Sequence, residues 1–256
     1  MMNDVTIHKR NELTRGSDDY SLNAKRCLNA IYYIVQKNNL YKKDYFLLSF
    51  ATLKKMMNLE KNEDYIERIK SAFLELEQPM QLNNFYHPIL KETFNWYSMS
   101  FLDEAGFRKE NNNQTSAVVR VNPVIKHLMQ LDGNFTKLDL IYHMNKFRTK
   151  YAMKLYEFLK SFEDYQYIQL SQQHTMKLLG INEDDITNKH YSKLKVLIDR
   201  QLKEIIKKTD LKEIKREDSK ELSKSKIYKI YIDPKSKKVP KVIDIEQSIN
   251  DIIKRF

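Results

Sequence analysis

Glycine is scarce in this chain, with four residues in 256: Gly16, Gly106, Gly133 and Gly180. No two lie close enough for a phosphate-cradling P-loop or a dinucleotide-binding turn, both of which need clustered glycines for close backbone approach. A single cysteine, Cys27, excludes an intramolecular disulfide and gives no zinc-finger spacing. The six histidines form neither an H-E-x-x-H nor an H-x-H pair, so chemistry that needs a His-bound metal lacks its ligands. The chain is therefore expected to have no catalytic residue, no metal site and no cofactor. No stretch approaches the length of a membrane span, and the start MMNDVTIHKRNELTRGSDDY lacks the apolar region of a secretory signal. A soluble, cytoplasmic protein with no membrane partner is expected.

What the chain has in excess is positive charge. Lys plus Arg is 45 against 34 Asp plus Glu, a formal net charge of +11. Hydrophobic residues make up 41% of the sequence, enough to build real cores. The length suits one large domain or two of roughly 100–130 residues. The basic excess points to an anionic partner, nucleic acid or a membrane surface.

Periodicity then divides the chain into two similar halves. Asp18 to Lys37 carries Ala24, Cys27, Leu28, Ile31, Ile34 and Val35 at helical spacing after Ser17-Asp18, which resembles a cap. A short strand, YFLLSF (45–50), a short helix, ATLKKMMNL (51–59), and a longer helix, EDYIERIKSAFLELE (63–77), follow. FNWYSMSFL (94–102) and AVVRV (117–121) read as a hairpin around the polar tip DEAGFRKENNNQTS. The second half repeats the order: an amphipathic helix KYAMKLYEFLKSF (150–162), a strand YIQL (167–170) and a short helix SQQHTMKLLG (171–180) closed by a glycine. The long helix HYSKLKVLIDRQLKEIIKK (190–208) comes next, then LKEIKRE and KIYKIYI (211–217, 226–232) around the tip DSKELSKS.

Helix, strand, short helix, long helix and hairpin is the order of a winged helix-turn-helix, in which the long helix enters a DNA major groove and the hairpin wing rests on phosphates. The expected fold class is α+β, two tandem winged helix-turn-helix domains. Their expected limits are 1–133 for the first, with weaker DNA contact and a larger share of protein contacts, and 134–235 for the second, the main DNA-reading domain. Residues 236–256 form a C-terminal tail, whose isoleucines Ile243, Ile245, Ile249 and Ile252 fit docking on the body or on a partner.

Winding 190–208 at 100° per residue gathers Tyr191, Leu194, Leu197, Ile198, Leu202 and Ile205 on one side. The other side collects Lys189 (just before the helix), Ser192, Lys193, Arg200, Lys203 and Lys207. Its first turns are placed to meet base edges, and its later lysines phosphates; Tyr191, at the helix start, is included among the DNA-binding candidates. The wing adds Lys215, Arg216, Lys224 and Lys226 for phosphates or a minor groove. Ahead of the domain lie Lys146, Arg148, Thr149 and Lys150; Thr149 as N-cap leaves a helix start suited to a phosphate. An ordinary solvated charged face is the alternative for each of these groups. The corresponding first-half helix turns out Asp64, Glu67, Arg68, Ser71 and Glu75, mostly acidic, so the second domain is expected to do most of the reading. Trp96 and Tyr97 are expected to pack on the sheet rather than stack on single strands.

Three stretches carry a resemblance: RTKYAMKLYEFLKSF (148–162), KHYSKLKVLIDRQLKEIIKKTDLK (189–212) with its hairpin, and AVVRVNPVIKHLMQL (117–131). They resemble the replication initiators of iteron-bearing bacterial plasmids, the Rep proteins with two winged-helix domains, over nearly the whole chain to about residue 233. The resemblance implies a monomer that binds directly repeated double-stranded origin DNA. It also implies a dimer, formed through the N-terminal domain, that represses its own gene, and recruitment of the host initiator and replicative helicase. The acidic outer face of 63–77 and the long Asn-rich tip depart from that pattern. A winged-helix transcriptional regulator without initiator activity is the competing reading; a rolling-circle nicking enzyme is disfavoured by the missing H-x-H pair.

Overall fold

The computed structural model describes residues 5–16, 18–110, 113–130, 134–140, 144–181, 191–219, 227–233, 235–236 and 241–243. Two compact units divide the chain, Met1–Met153 and Lys154–Phe256. No helix among the described residues is long and apolar enough to cross a membrane.

The first unit opens with β1 (Thr6–Arg10), α1 (Asn11–Arg15) and α2 (Leu22–Lys37). The cap of α2 is Ser21, whose side chain accepts from the Ala24 amide at 3.2 Å, rather than Ser17-Asp18. Its stripe Ala24, Cys27, Leu28, Ile31, Ile34 and Val35 is buried as the spacing predicts. Then come β2 (Tyr45–Ser49), α3 (Phe50–Met56) and α4 (Tyr65–Leu76). Alternation sends Phe46 and Leu48 inward opposite Val119 and Ala117, all buried, which fixes the register of β2 against its partner.

The hairpin differs from its expected form. β3 (Pro79–His87) pairs with β4 (Glu92–Ser100), so FNWYSMSFL belongs to an inserted hairpin. β5 (Leu102–Glu110) pairs with β6 (Asn113–Val121), giving a sheet of order β2-β6-β5. The supposed flexible tip is thus mostly strand. Its polar composition hides a period of two: Ala105 and Phe107 alternate with Glu104, Gly106 and Arg108, and Phe107 meets Phe50 edge-on at 4.9 Å. Asn111 and Asn112 lie outside the described residues.

α5 (Pro123–Leu128) starts on Asn122, whose side-chain Oδ1 accepts from the Val124 amide at 3.0 Å, with proline at the first turn. β7 (Phe135–Asp139) then pairs antiparallel with β1, Ile7 opposite Leu138. That pairing places residues 134–153 in the first unit and moves the boundary from the expected 133/134 to 153/154.

α6 (Lys150–Lys160) is followed by β8 (Tyr167–Ser171), α7 (Gln172–Leu179), α8 (Tyr191–Lys208), β9 (Lys215–Ser219), β10 (Ile227–Tyr231) and β11 (Lys241–Ile243). Ser171 caps α7 by accepting from the His174 amide at 3.1 Å, and Gly180, at φ 63°, closes it in the left-handed conformation that glycine adopts without strain. In the second sheet, order β11-β8-β10-β9, Ile230 faces Ile168 and Tyr228 faces Leu170, all buried. β11 lies parallel to β8, so the expected tail begins as part of this sheet; residues 244–256 lie outside the described ones. Both units run helix, strand, short helix, long helix and hairpin. The fold is α+β, two tandem winged helices.

Candidate nucleic-acid interface

α8 is amphipathic, and its buried face holds Leu194, Ile198, Leu202 and Ile205. Lys193, Arg200, Lys203 and Lys207 are exposed on the other side. No acidic side chain among the described residues pairs with any of these four. That leaves an unneutralised cationic stripe along about four turns. Tyr191 and Ser192 open the helix, but their side chains lie outside the description, as does Lys189.

The wing is tied to this helix. Arg216 in β9 donates from Nε and Nη2 to the two carboxylate oxygens of Asp199, at 2.7 and 3.0 Å, and it also bonds Asp218. Its side chain is only 6% exposed and lies over the Tyr228 ring, 5.3 Å from the centroid. The Asp199 carboxylate beside it raises the Arg216 pKa above its ordinary value. Arg216, expected from the sequence to face phosphate, thus has its fork occupied by a bidentate carboxylate. Lys215 is exposed and pairs with Glu217 at 2.7 Å, a solvent-screened contact that a phosphate can replace. Lys195, on the edge of the stripe, holds Asp218 at 2.7 Å. Lys224 and Lys226 lie outside the described residues.

Within the first unit, Lys146 and Arg148 are exposed and Thr149 caps α6, accepting from the Ala152 amide at 3.0 Å. Lys150 is drawn to Asp19. The segment rests on an arginine that sequence reasoning missed. Arg26 in α2 donates from Nη2 to the carbonyls of Asn145 (3.1 Å) and Phe147 (2.9 Å), and no carboxylate among the described residues meets it. Burial lowers its pKa. No local signal marks it, because its partners lie about 120 positions away.

The first-unit helix is less acidic outward than expected. Asp64 is bound by Arg68 through both oxygens at 2.9 Å, and Glu75 turns inward to accept from the Ser21 amide at 2.7 Å. Glu67 remains exposed, beside Lys70 and the apolar Leu74. Tyr97 packs among Phe85, His87 and Phe94, and its hydroxyl meets His87 Nε2 at 3.1 Å. Trp96 is 59% exposed, against expectation, because one step along a strand reverses the face. Among the described residues, the exposed large apolar side chains Tyr45, Leu47, Leu74, Tyr86, Ile89, Leu90, Trp96 and Phe135 belong to the first unit, and Val196 alone to the second.

The family described as Initiator Replication protein, WH1, matches residues 6–160, from the start of β1 to the end of α6. No curated protein matches the chain. Solved structures similar to it include the selenomethionine derivatives of domains 2 and 3 of RctB. They are 11% identical, with 83% of this chain and 82% of that one covered, at a TM-score of 0.48. A second structure of RctB domains 2–3 is 10% identical over 82% and 81%, at 0.47.

Proposed function

The chain belongs to the initiator replication protein family, and on that premise we propose that it starts plasmid replication by binding directly repeated sequences in double-stranded origin DNA. The observation that carries this reading is the cationic stripe Lys193, Arg200, Lys203 and Lys207, carried on a long helix that the Arg216–Asp199 pair ties to its wing. A helix of this kind enters the major groove with its first turns at base edges and its later cations at phosphates. Lys215, Lys146 and Arg148 add sequence-independent phosphate contacts, with Lys189, Lys224 and Lys226 as further cations of the same role. The protein does this without catalytic chemistry, metal or cofactor of its own.

The first unit takes the larger share of protein contacts in this proposal. Its exposed aromatics and aliphatics support self-association into a dimer that represses the protein's own gene, and contact with the host initiator and helicase. The test is a circular DNA that carries this gene and its flanking sequence but no other origin. It should replicate in a permissive host, and a frameshift in the gene should abolish that. Footprinting with the full chain should protect short direct repeats beside the gene. Specific binding without autonomous replication would instead favour a winged-helix regulator.

A further inference from the structure

Val196 is 66% exposed, the highest exposure of any large apolar side chain described. It stands three residues after Lys193 and four before Arg200, so the three side chains share one face in the first turns of α8. A β-branched residue at an exposed helix position is a poor helix former and buries nothing there. Beside it stand the cations Lys193 and Arg200, which meet no acidic side chain among the described residues, while the carboxylate three positions on, Asp199, is held by Arg216; among the described residues of this unit no second exposed large apolar side chain joins it. A protein-docking patch needs contiguous apolar area, which one isopropyl group does not supply. An apolar partner would also have to strip water from Lys193 and Arg200 without offering a counter-charge. A DNA major groove matches both demands at once, with anionic walls for the cations and, on its floor, the methyl group of thymine.

We propose that Val196 is a specificity-determining residue that reads the 5-methyl group of one thymine in the repeat. The proposal rests on the reading of α8 as the base-contacting helix. Lys193 and Arg200 hold the helix over the base edges, and the valine methyls fill the gap between them. A contact of this kind releases no counterions, so it adds discrimination without adding salt dependence.

The experiment uses the full chain and the duplex defined by footprinting, with each thymine replaced in turn by deoxyuridine, which keeps the pairing edge and lacks only the methyl. Wild-type protein should lose about fourfold in affinity at one position, the weight of one methyl group taken out of water. Val196→Ala should show a similar loss on the unmodified duplex and no further loss when that thymine is replaced. Its slope of log K against log salt should match wild type, and its melting temperature should stay level or rise slightly, since alanine is the better helix former. Lys193→Ala should retain the sensitivity to the same deoxyuridine. If wild type and Val196→Ala respond alike at every thymine while Lys193→Ala still narrows the ratio of repeat to scrambled duplex, this inference is overturned and the reading of α8 stands. If Lys193→Ala and Arg200→Ala both leave that ratio unchanged, α8 is not the base reader and both fall.

Discussion

Arg216 on the wing grips both carboxylate oxygens of Asp199 on the long helix, across 17 positions of sequence. The pair ties together the two elements proposed to touch DNA, and it neutralises the Asp199 charge that otherwise lies next to Arg200. Arg216→Ala is expected to destabilise the second unit by about 1–2 kcal/mol, a modest figure because Asp199 is 41% exposed and water screens it. DNA affinity should fall more than that loss of stability explains, since a bare carboxylate then lies beside the stripe. Arg216→Lys should restore only part, because an ammonium cannot span both oxygens. Urea unfolding and duplex titration check this; unchanged midpoints for Arg216→Ala would remove the pair from the account.

On the proposed reading, base contacts and phosphate anchoring are expected at different positions of α8. Lys193→Ala and Arg200→Ala should each cost about 1–3 kcal/mol on the cognate repeat and much less on scrambled duplex. Lys207→Ala should weaken both duplexes by a similar factor and lower the salt slope by about one. Titration of each variant on both duplexes at two salt concentrations decides it. Three equal, sequence-independent losses would mean that the stripe is a general counter-charge.

The division of the chain gives a fragment test. Residues 1–153 retain the β1–β7 pairing, whereas 1–133 lose it and leave buried Ile7 without its partner Leu138. The longer fragment should unfold cooperatively at the higher temperature, by several degrees, and both should bind duplex more weakly than 154–256. Equal melting temperatures would contradict the boundary at 153, and stronger binding by the first unit would reverse the assignment of the reading domain.

Arg26 supports the segment that carries Lys146 and Arg148. Arg26→Met leaves the carbonyls of Asn145 and Phe147 without their donor and should cost about 1–2 kcal/mol in the first unit. If the segment contacts phosphate, Arg148→Ala should lower the salt slope in wild type and have less effect in the Arg26→Met background. Strict additivity in that double-mutant cycle would reduce Arg26 to a packing role.

Cys27 has no exposed surface, and burial pushes its thiol pKa up. A thiol reagent should therefore leave the native protein unmodified at neutral pH and label it as the first unit unfolds in urea. Rapid labelling without denaturant would show that α2 opens locally.

Much of this fold was legible in local pattern. The 3.6-residue stripes of α2, α6 and α8, the alternation in β2, β8 and β10, the glycine that closes α7 and the threonine that caps α6 each involve residues within a few positions of one another. Chain geometry alone brings such residues together. The repeated element order, and so the two winged helices, followed from them. The exposed cations of α8 were legible for the same reason, since a helix with one apolar side has only one other side.

Strand partners and ion pairs were not legible, because they depend on which distant segments meet. The polar stretch 103–116 read as a loop on composition, yet an apolar face from α3 and β6 pulls its alternate residues inward and makes it a strand. Arg216 looked like a phosphate ligand until the fold put Asp199 against it, and Glu75 looked solvent-facing until the start of α2 supplied an amide. Arg26 resembles any other helix cation in sequence, and only the return of the chain at 145–147 gives it a role. The sequence by itself determined the amphipathic helices, the plainly alternating strands, their repeated order and the sign of the exposed charge on α8, because these follow from periods of two and 3.6. Tertiary structure alone decided which of those charges are already neutralised and which remain for an anionic partner, because charge pairing acts across a few ångströms of space and takes no account of distance along the chain.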